Sequence, residues 1–215
     1  MNMSIIASSR LRLQKDLLFG NFSGGAKWVG GVLAPNGKIY AIPIESNKIL
    51  EIDPSNDTAS LFGNLLGSDK WYGGVLAPNG KIYGIPRDAT QILEIDPVNQ
   101  TTSLFGDLSG PNKWSGGVLA PNGKIYGIPL NQTQVLEIDP SNNNIRFLKS
   151  FSGGNKWFGG VLAPNGKIYC IPFNTTQILV IDNVDTPNII GSDANIPASL
   201  ANLATSNYNE YYNKF

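Results

Sequence analysis

Tryptophans at positions 28, 71, 114 and 157 are spaced 43 residues apart, and nearly the same text surrounds each one. It reads Lys-Trp-x-Gly-Gly-Val-Leu-Ala-Pro-Asn-Gly-Lys-Ile-Tyr-x-Ile-Pro. A unit this short cannot bury its own apolar face, so repeats of this kind fold only by stacking on one another. A period of roughly 40 to 50 residues points to arrays of small sheets before any other arrangement.

Each unit reads as four strands. In the second, residues 71–77 form the first strand and the turn at 78–81 carries Asn79-Gly80. Asn-Gly between apolar runs is a strong hairpin signal, with both central residues expected at positive φ. Residues 81–86 form the second strand. Residues 91–96 form the third, alternating apolar and polar side chains as a half-buried strand does. Residues 102–106 form the fourth. Four antiparallel strands per unit make the blade of a β-propeller, so the expected fold is all-β with four blades.

The ends of the repeat add a constraint. The first three strand patterns occur four times, but the fourth does not return after residue 182. Lys15-Asp-Leu-Leu-Phe-Gly-Asn21, ahead of the first tryptophan, matches Ala59-Ser-Leu-Phe-Gly-Asn64. The N-terminal strand 15–21 is therefore expected to complete the fourth blade and close the ring, which removes exposed sheet edges. On this reading the propeller covers residues 1–182, with blades near 27–69, 70–112, 113–155 and 156–182. The glycine pairs at 30–31, 73–74, 116–117 and 159–160 mark close backbone approach near a narrow axis. A larger ring shared by two chains is the alternative.

The Asn-Gly-Lys-Ile-Tyr hairpin and the Ile-Leu-x-Ile-Asp-Pro strand resemble β-propeller repeat proteins over roughly residues 15–182, with phrases similar to lyase-type and tachylectin-type propellers. The lyase-type resemblance implies a catalytic histidine and a metal-binding carboxylate. This chain has no histidine, which also removes the commonest general base. Cys170 is the single cysteine, so neither an internal disulfide nor a Cys-x-x-Cys site is available. Glu51, Glu94 and Glu137 lie two residues before Asp53, Asp96 and Asp139, on one strand face, with Asp182 in the fourth unit. Recurrence in successive units makes these structural, and Asp before Pro starts a turn by capping backbone. The expectations are no enzyme activity, no cofactor and no metal. The Asp53–Asp57 loop has oxygen ligands at close spacing, but ligand charge falls away in the second and third units, where Gln100 and Asn143 replace its second aspartate, and Asx turns account for all three.

The binding candidates are Trp28, Trp71, Trp114 and Trp157 with the preceding Lys27, Lys70, Lys113 and Lys156. They are set either as wedges between blades or as stacking platforms for sugar rings with the lysines alongside. Four equivalent weak sites gain strength by avidity, as in a lectin. The residue after each tryptophan varies (Val29, Tyr72, Ser115, Phe158) and counts against a fourfold site. Residues 183–215 read as a linker and a helical tail, in which Tyr208, Tyr211, Tyr212 and Phe215 make an aromatic stripe for the propeller's own face, for a partner or for self-assembly.

Lys+Arg and Asp+Glu are equal at 16 each, which excludes a nucleic-acid footprint. No apolar run is long enough for a membrane span. The N-terminus does not read as a secretory signal, so a cytoplasmic or virion-associated setting is expected rather than classical secretion. The leading expectation is a multivalent glycan- or surface-binding propeller. A structural virion component (capsid-decorating or fibre-associated) docking through its tail, and a protein–protein scaffold, are the alternatives.

Overall fold

The computed structural model describes residues 18–182, and every regular element among them is a β-strand. The first sheet holds β1 (Trp28–Leu33), β2 (Ile39–Pro43), β3 (Ile49–Asp53) and β4 (Thr58–Phe62). The second holds β5 (Trp71–Leu76), β6 (Ile82–Pro86), β7 (Ile92–Asp96) and β8 (Thr101–Phe105). The third holds β9 (Trp114–Leu119), β10 (Ile125–Pro129), β11 (Val135–Asp139) and β12 (Asn144–Leu148). The fourth has β13 (Trp157–Leu162), β14 (Ile168–Pro172) and β15 (Leu179–Ile181). Every sheet is an antiparallel meander in chain order, the blade of a propeller.

The hairpin chemistry differs from expectation in one respect. Only the glycine of each Asn-Gly takes positive φ, +79° at Gly37, Gly80, Gly123 and Gly166. Ala34 O accepts from Gly37 N at 3.0 Å, enclosing Pro35 and Asn36 in a turn. Proline at the first central position pre-sets φ for a type I turn, and the glycine then takes the left-handed position that ends it.

The glycine pairs divide two tasks. The first of each pair sits at a bulge between β1 and β2 or their equivalents and takes positive φ (+77° at Gly73). The second makes room for the blade before it. A Cβ on Gly74 would lie 2.6 Å from Ile42 Cδ1, and one on Gly117 would lie 2.8 Å from Ile85 Cδ1. The apolar core is correspondingly divided among the junctions. One cluster joins Tyr40, Ile42 and Ile49 of blade 1 to Trp71 and Ile82 of blade 2, and equivalent clusters join blades 2 to 3 and 3 to 4.

β1 packs on β5, β5 on β9 and β9 on β13, with no matching contact between β13 and β1 among the described residues. A Cβ on Gly31 would meet only Ile39 of its own blade, and one on Gly159 would meet nothing within 4 Å. Closure by an N-terminal strand is not observed. Residues 18–23 form no strand, residues 15–17 lie outside the described residues, and β15 ends its sheet. Residues 18–27 lead into blade 1. The expected helical tail, with Tyr208, Tyr211, Tyr212 and Phe215, also lies outside the described residues.

Replacement of Trp114, which is wholly buried, by alanine is expected to destabilise the protein by about 3–5 kcal/mol. The same change at half-buried Trp28 is expected to cost at most about half as much. Urea-induced unfolding followed by circular dichroism measures both. Equal losses would show that Trp28 is as well packed as Trp114.

Candidate functional site

Trp71, Trp114 and Trp157 are buried, and each indole N–H donates to a backbone carbonyl on the third strand side of its own blade: Gln91 O at 2.8 Å, Gln134 O at 2.9 Å and Gln177 O at 2.8 Å. Both the ring and the polar handle are thus occupied, as buried tryptophan requires. These three rings are wedges between blades and offer no open face for stacking a sugar. Trp28 differs only in its surroundings. Its N–H donates to Lys48 O at 2.8 Å, but no preceding blade covers its half-buried ring, which meets Phe22 edge-on at 5.3 Å.

The lysines follow the same division. Lys70, Lys113 and Lys156 are buried, and their ammonium groups donate to loop carbonyls: Lys70 to Gly67 O at 2.8 Å, Lys113 to Gly110 O at 2.6 Å and Lys156 to Gly153 O at 2.8 Å. Lys70 and Lys156 also donate to Ile44 O and Leu130 O of the blade before. Burial holds all three ammonium groups below their ordinary range. They tie loops and blades together. Lys27, half-buried, donates to Gly24 O at 2.5 Å and lies 5.9 Å from the Trp28 ring centre.

The strand glutamates form a second recurring cluster. Glu51, Glu94 and Glu137 are buried and accept from a tyrosine of the second strand: Tyr40 at 2.9 Å, Tyr83 at 3.1 Å and Tyr126 at 3.1 Å. Lys38, Lys81 and Lys124 donate to the same carboxylates at 2.7, 2.7 and 3.0 Å. The following blade reaches in as well, Gln100 donating to Glu51 at 2.9 Å and Asn143 to Glu94 at 3.0 Å. Burial pushes these carboxyls up, but the donated hydrogen bonds and the lysine charge more than offset it, leaving all three below the ordinary glutamate value of 4.5. Burial raises the Tyr83 and Tyr126 hydroxyls to about 12. In blade 4 the glutamate position is Val180, and Lys167 turns to Asp182 at 2.8 Å. Asp53, Asp96 and Asp139 accept from the backbone N–H two residues on, as Asx turns do.

A third group breaks the repeat. The position after the tryptophan holds Val29, Tyr72, Ser115 and Phe158, and the position after the second strand's Ile-Pro holds Ile44, Arg87, Leu130 and Phe173. On the first strands of blades 2 and 4, Tyr72 and half-exposed Phe158 meet edge-to-face at 5.5 Å, and Ser115, at the same position in blade 3, is buried. Phe173 lies 5.6 Å from Phe158. The Arg87 guanidinium stands 5.7 Å from the Tyr72 ring centre and donates to Asn112 Oδ1 at 2.8 Å and Asp69 Oδ1 at 3.2 Å. Exposed aromatic faces beside planar charged and amide groups form the chemistry of a ligand seat. The departures from the repeat at 72, 87, 158 and 173 are the visible signal; an expectation of four equivalent sites takes such variation as evidence against a site.

No family model matches the chain, and no curated protein matches it. Solved structures do. A catalytically inactive virginiamycin B lyase from Staphylococcus aureus, solved with quinupristin, is similar with a TM-score of 0.63 at 15% identity, over 79% of this chain and 60% of that one. An auxiliary nutrient binding protein from Bacteroides ovatus has a TM-score of 0.57 at 16% identity, over 73% of this chain and 38% of that one. A putative 6-phosphogluconolactonase from Bacteroides uniformis has a TM-score of 0.54 at 18% identity, over 70% and 48%. The chain thus spans less than two thirds of each. With the repeated sheets, these likenesses establish a β-propeller repeat protein. They also overturn the expectation of no enzyme activity, because the similar structures include lyases. Identity at this level carries the fold and not the activity. Among the described residues no helix is long and apolar enough to cross a membrane.

The glutamate network has a pH consequence. Native carboxyls below 4.5 stabilise the fold fully above that value, and the stability is lost as pH falls through the depressed native values, because the unfolded chain takes up protons first. The urea midpoint is expected to fall between about pH 6 and about pH 3. Glu94→Gln should lower it at neutral pH and make the fall shallower. A midpoint independent of pH would show that the network contributes nothing.

Proposed function

We propose that this chain is a propeller-type binding module whose ligand is a glycan, held by Tyr72, Phe158 and Arg87. The supporting observation is the concentration of repeat-breaking residues in one place. Aromatic side chains stand at positions 72 and 158 where blades 1 and 3 have Val29 and Ser115, and Arg87 stands where they have Ile44 and Leu130, while the tryptophans, the glycine pairs and the second-strand isoleucines at 42, 85, 128 and 171 stay unchanged. A sugar ring presents apolar C–H faces to an aromatic ring and hydroxyls to planar polar groups. The Tyr72–Phe158 pair offers the first surface, and Arg87, Asn112 and Asp69 the second. Variety of function among similarly folded structures, a nutrient-binding protein among them, is in keeping with a binding role.

The fourth strand of blade 4 belongs to the same reading. Residues 15–21, of this chain or of a second copy, carry the matching sequence, and the edge of β15, unpaired among the described residues, is the complementary acceptor.

The test is a glycan array with the full-length chain, followed by calorimetric titration of the best binder against a Tyr72→Ala/Phe158→Ala double variant. We expect at least tenfold weaker binding, about 1.4 kcal/mol, with the unfolding midpoint nearly unchanged. A folded chain that binds no glycan, or binding that survives in the double variant, would overturn the proposal.

A further inference from the structure

The four blades leave two faces that fit each other and do not meet. At the trailing end, the back of blade 4 exposes Val161, Ile171, Phe173 and Ile178. Their counterparts in blades 1 to 3 are covered by the next blade. Ile171 is 50% exposed, against 0% for Ile42, Ile85 and Ile128, and Ile178 is 62% exposed, against 0% for Ile49 and Ile92 and 1% for Val135. At the leading end, the front of blade 1 presents Trp28, Gly30 and Gly31, whose counterparts at the three internal junctions receive that isoleucine.

We infer that the back of blade 4 docks on the front of blade 1 of a second copy of this chain, joining two arcs head to tail. The occupant follows from continuity with the internal junctions. The face of blade 4 is built to receive a Trp-x-Gly-Gly strand, and among the described residues the uncovered one is β1, on the far side of the gap. The polar groups agree. At the first two internal junctions Asn36 Nδ2 donates to Pro97 O at 3.2 Å and Asn79 Nδ2 to Pro140 O at 2.9 Å, each reaching the following blade. Asn165 holds the same position in blade 4, and Pro54 is the matching carbonyl in blade 1.

One pair of positions changes in concert. The amide that enters the preceding blade's glutamate is Gln100 or Asn143, and blade 1 has Asp57 there, at φ +54° like the others. Glutamate at position 180 would face that aspartate across the junction and repel it. Position 180 is valine, which removes the repulsion. Two copies of this four-sheet arc give a ring within the roughly four to eight blades that closed propellers use. Each copy contributes its front to one junction and its back to the other, and closure at two copies is what limits the assembly to a dimer.

Sedimentation equilibrium of the full chain tests this, with about twice the 23.1 kDa chain mass expected. Ile171→Asp sets a charge in the junction and should weaken self-association by at least about a hundredfold. Its circular dichroism should be unchanged, because Ile171 is exposed in the single chain. Direction is read from Gly31→Cys and Ile171→Cys chains under mild oxidation. A disulfide-linked dimer should form when the two are mixed and not from either alone. A monomer, a dimer indifferent to Ile171→Asp, or crosslinking of Ile171→Cys with itself would overturn the inference. Glycan binding at Tyr72 and Phe158 is measured separately, so either reading can fail without the other.

Discussion

The structure depends on one contact made three times: the branched end of a second-strand isoleucine pressed into the space left by the second glycine of the next blade. At Gly74 and Gly117 a single added carbon would lie inside the van der Waals envelope of Ile42 or Ile85. Around that contact a tryptophan of the following blade fills the rest of the gap, with its N–H tied to its own sheet. A twisted sheet of four short strands has too little core of its own, and burial of apolar surface between blades supplies what each sheet lacks. Blades are thus cooperative neighbours, and a blade without a neighbour on one side shows it at once in the exposure of Ile171 and Ile178.

Polar groups reinforce the same junctions at a different radius. Each buried glutamate of blades 1 to 3 is held by a tyrosine and a lysine of its own sheet, and in blades 1 and 2 also by an amide from the blade that follows. Burying a carboxylate is costly unless its lone pairs are filled, and here three or more donors converge on each. The buried lysines at 70 and 156 do the converse, carrying a cation to the carbonyls of the preceding blade. These clusters fix register between blades. Their regular recurrence and full occupation mark them as scaffold, whereas the group of Tyr72, Phe158 and Arg87 is irregular and partly open. In a repeat protein, irregularity is where selective chemistry can be built without disturbing the stack.

Much of this was legible in the sequence because it is local or strictly periodic. The strand positions follow from alternation in Ile-Leu-x-Ile-Asp and from the Pro-Asn-Gly turns, and the strands lie within a residue or so of where the pattern puts them. Glycine pairs announced close approach, and the Glu/Asp alternation announced a shared face. The turn conformation was misjudged because Asn-Gly alone resembles a two-residue hairpin, whereas the preceding proline makes it part of a longer one.

The sequence by itself determined the blade: its four strands, their order, its turns and the residues that would pack between neighbours, because hydrophobic period and turn chemistry act over a few residues. Only the tertiary structure decided which of four identical-looking tryptophans are sealed and which is open, because that depends on whether a blade stands on the other side. It also brought Tyr72 and Phe158 together, though they lie two repeats apart in the chain. Curvature accumulates from small rotations at every junction, and no single repeat encodes the sum.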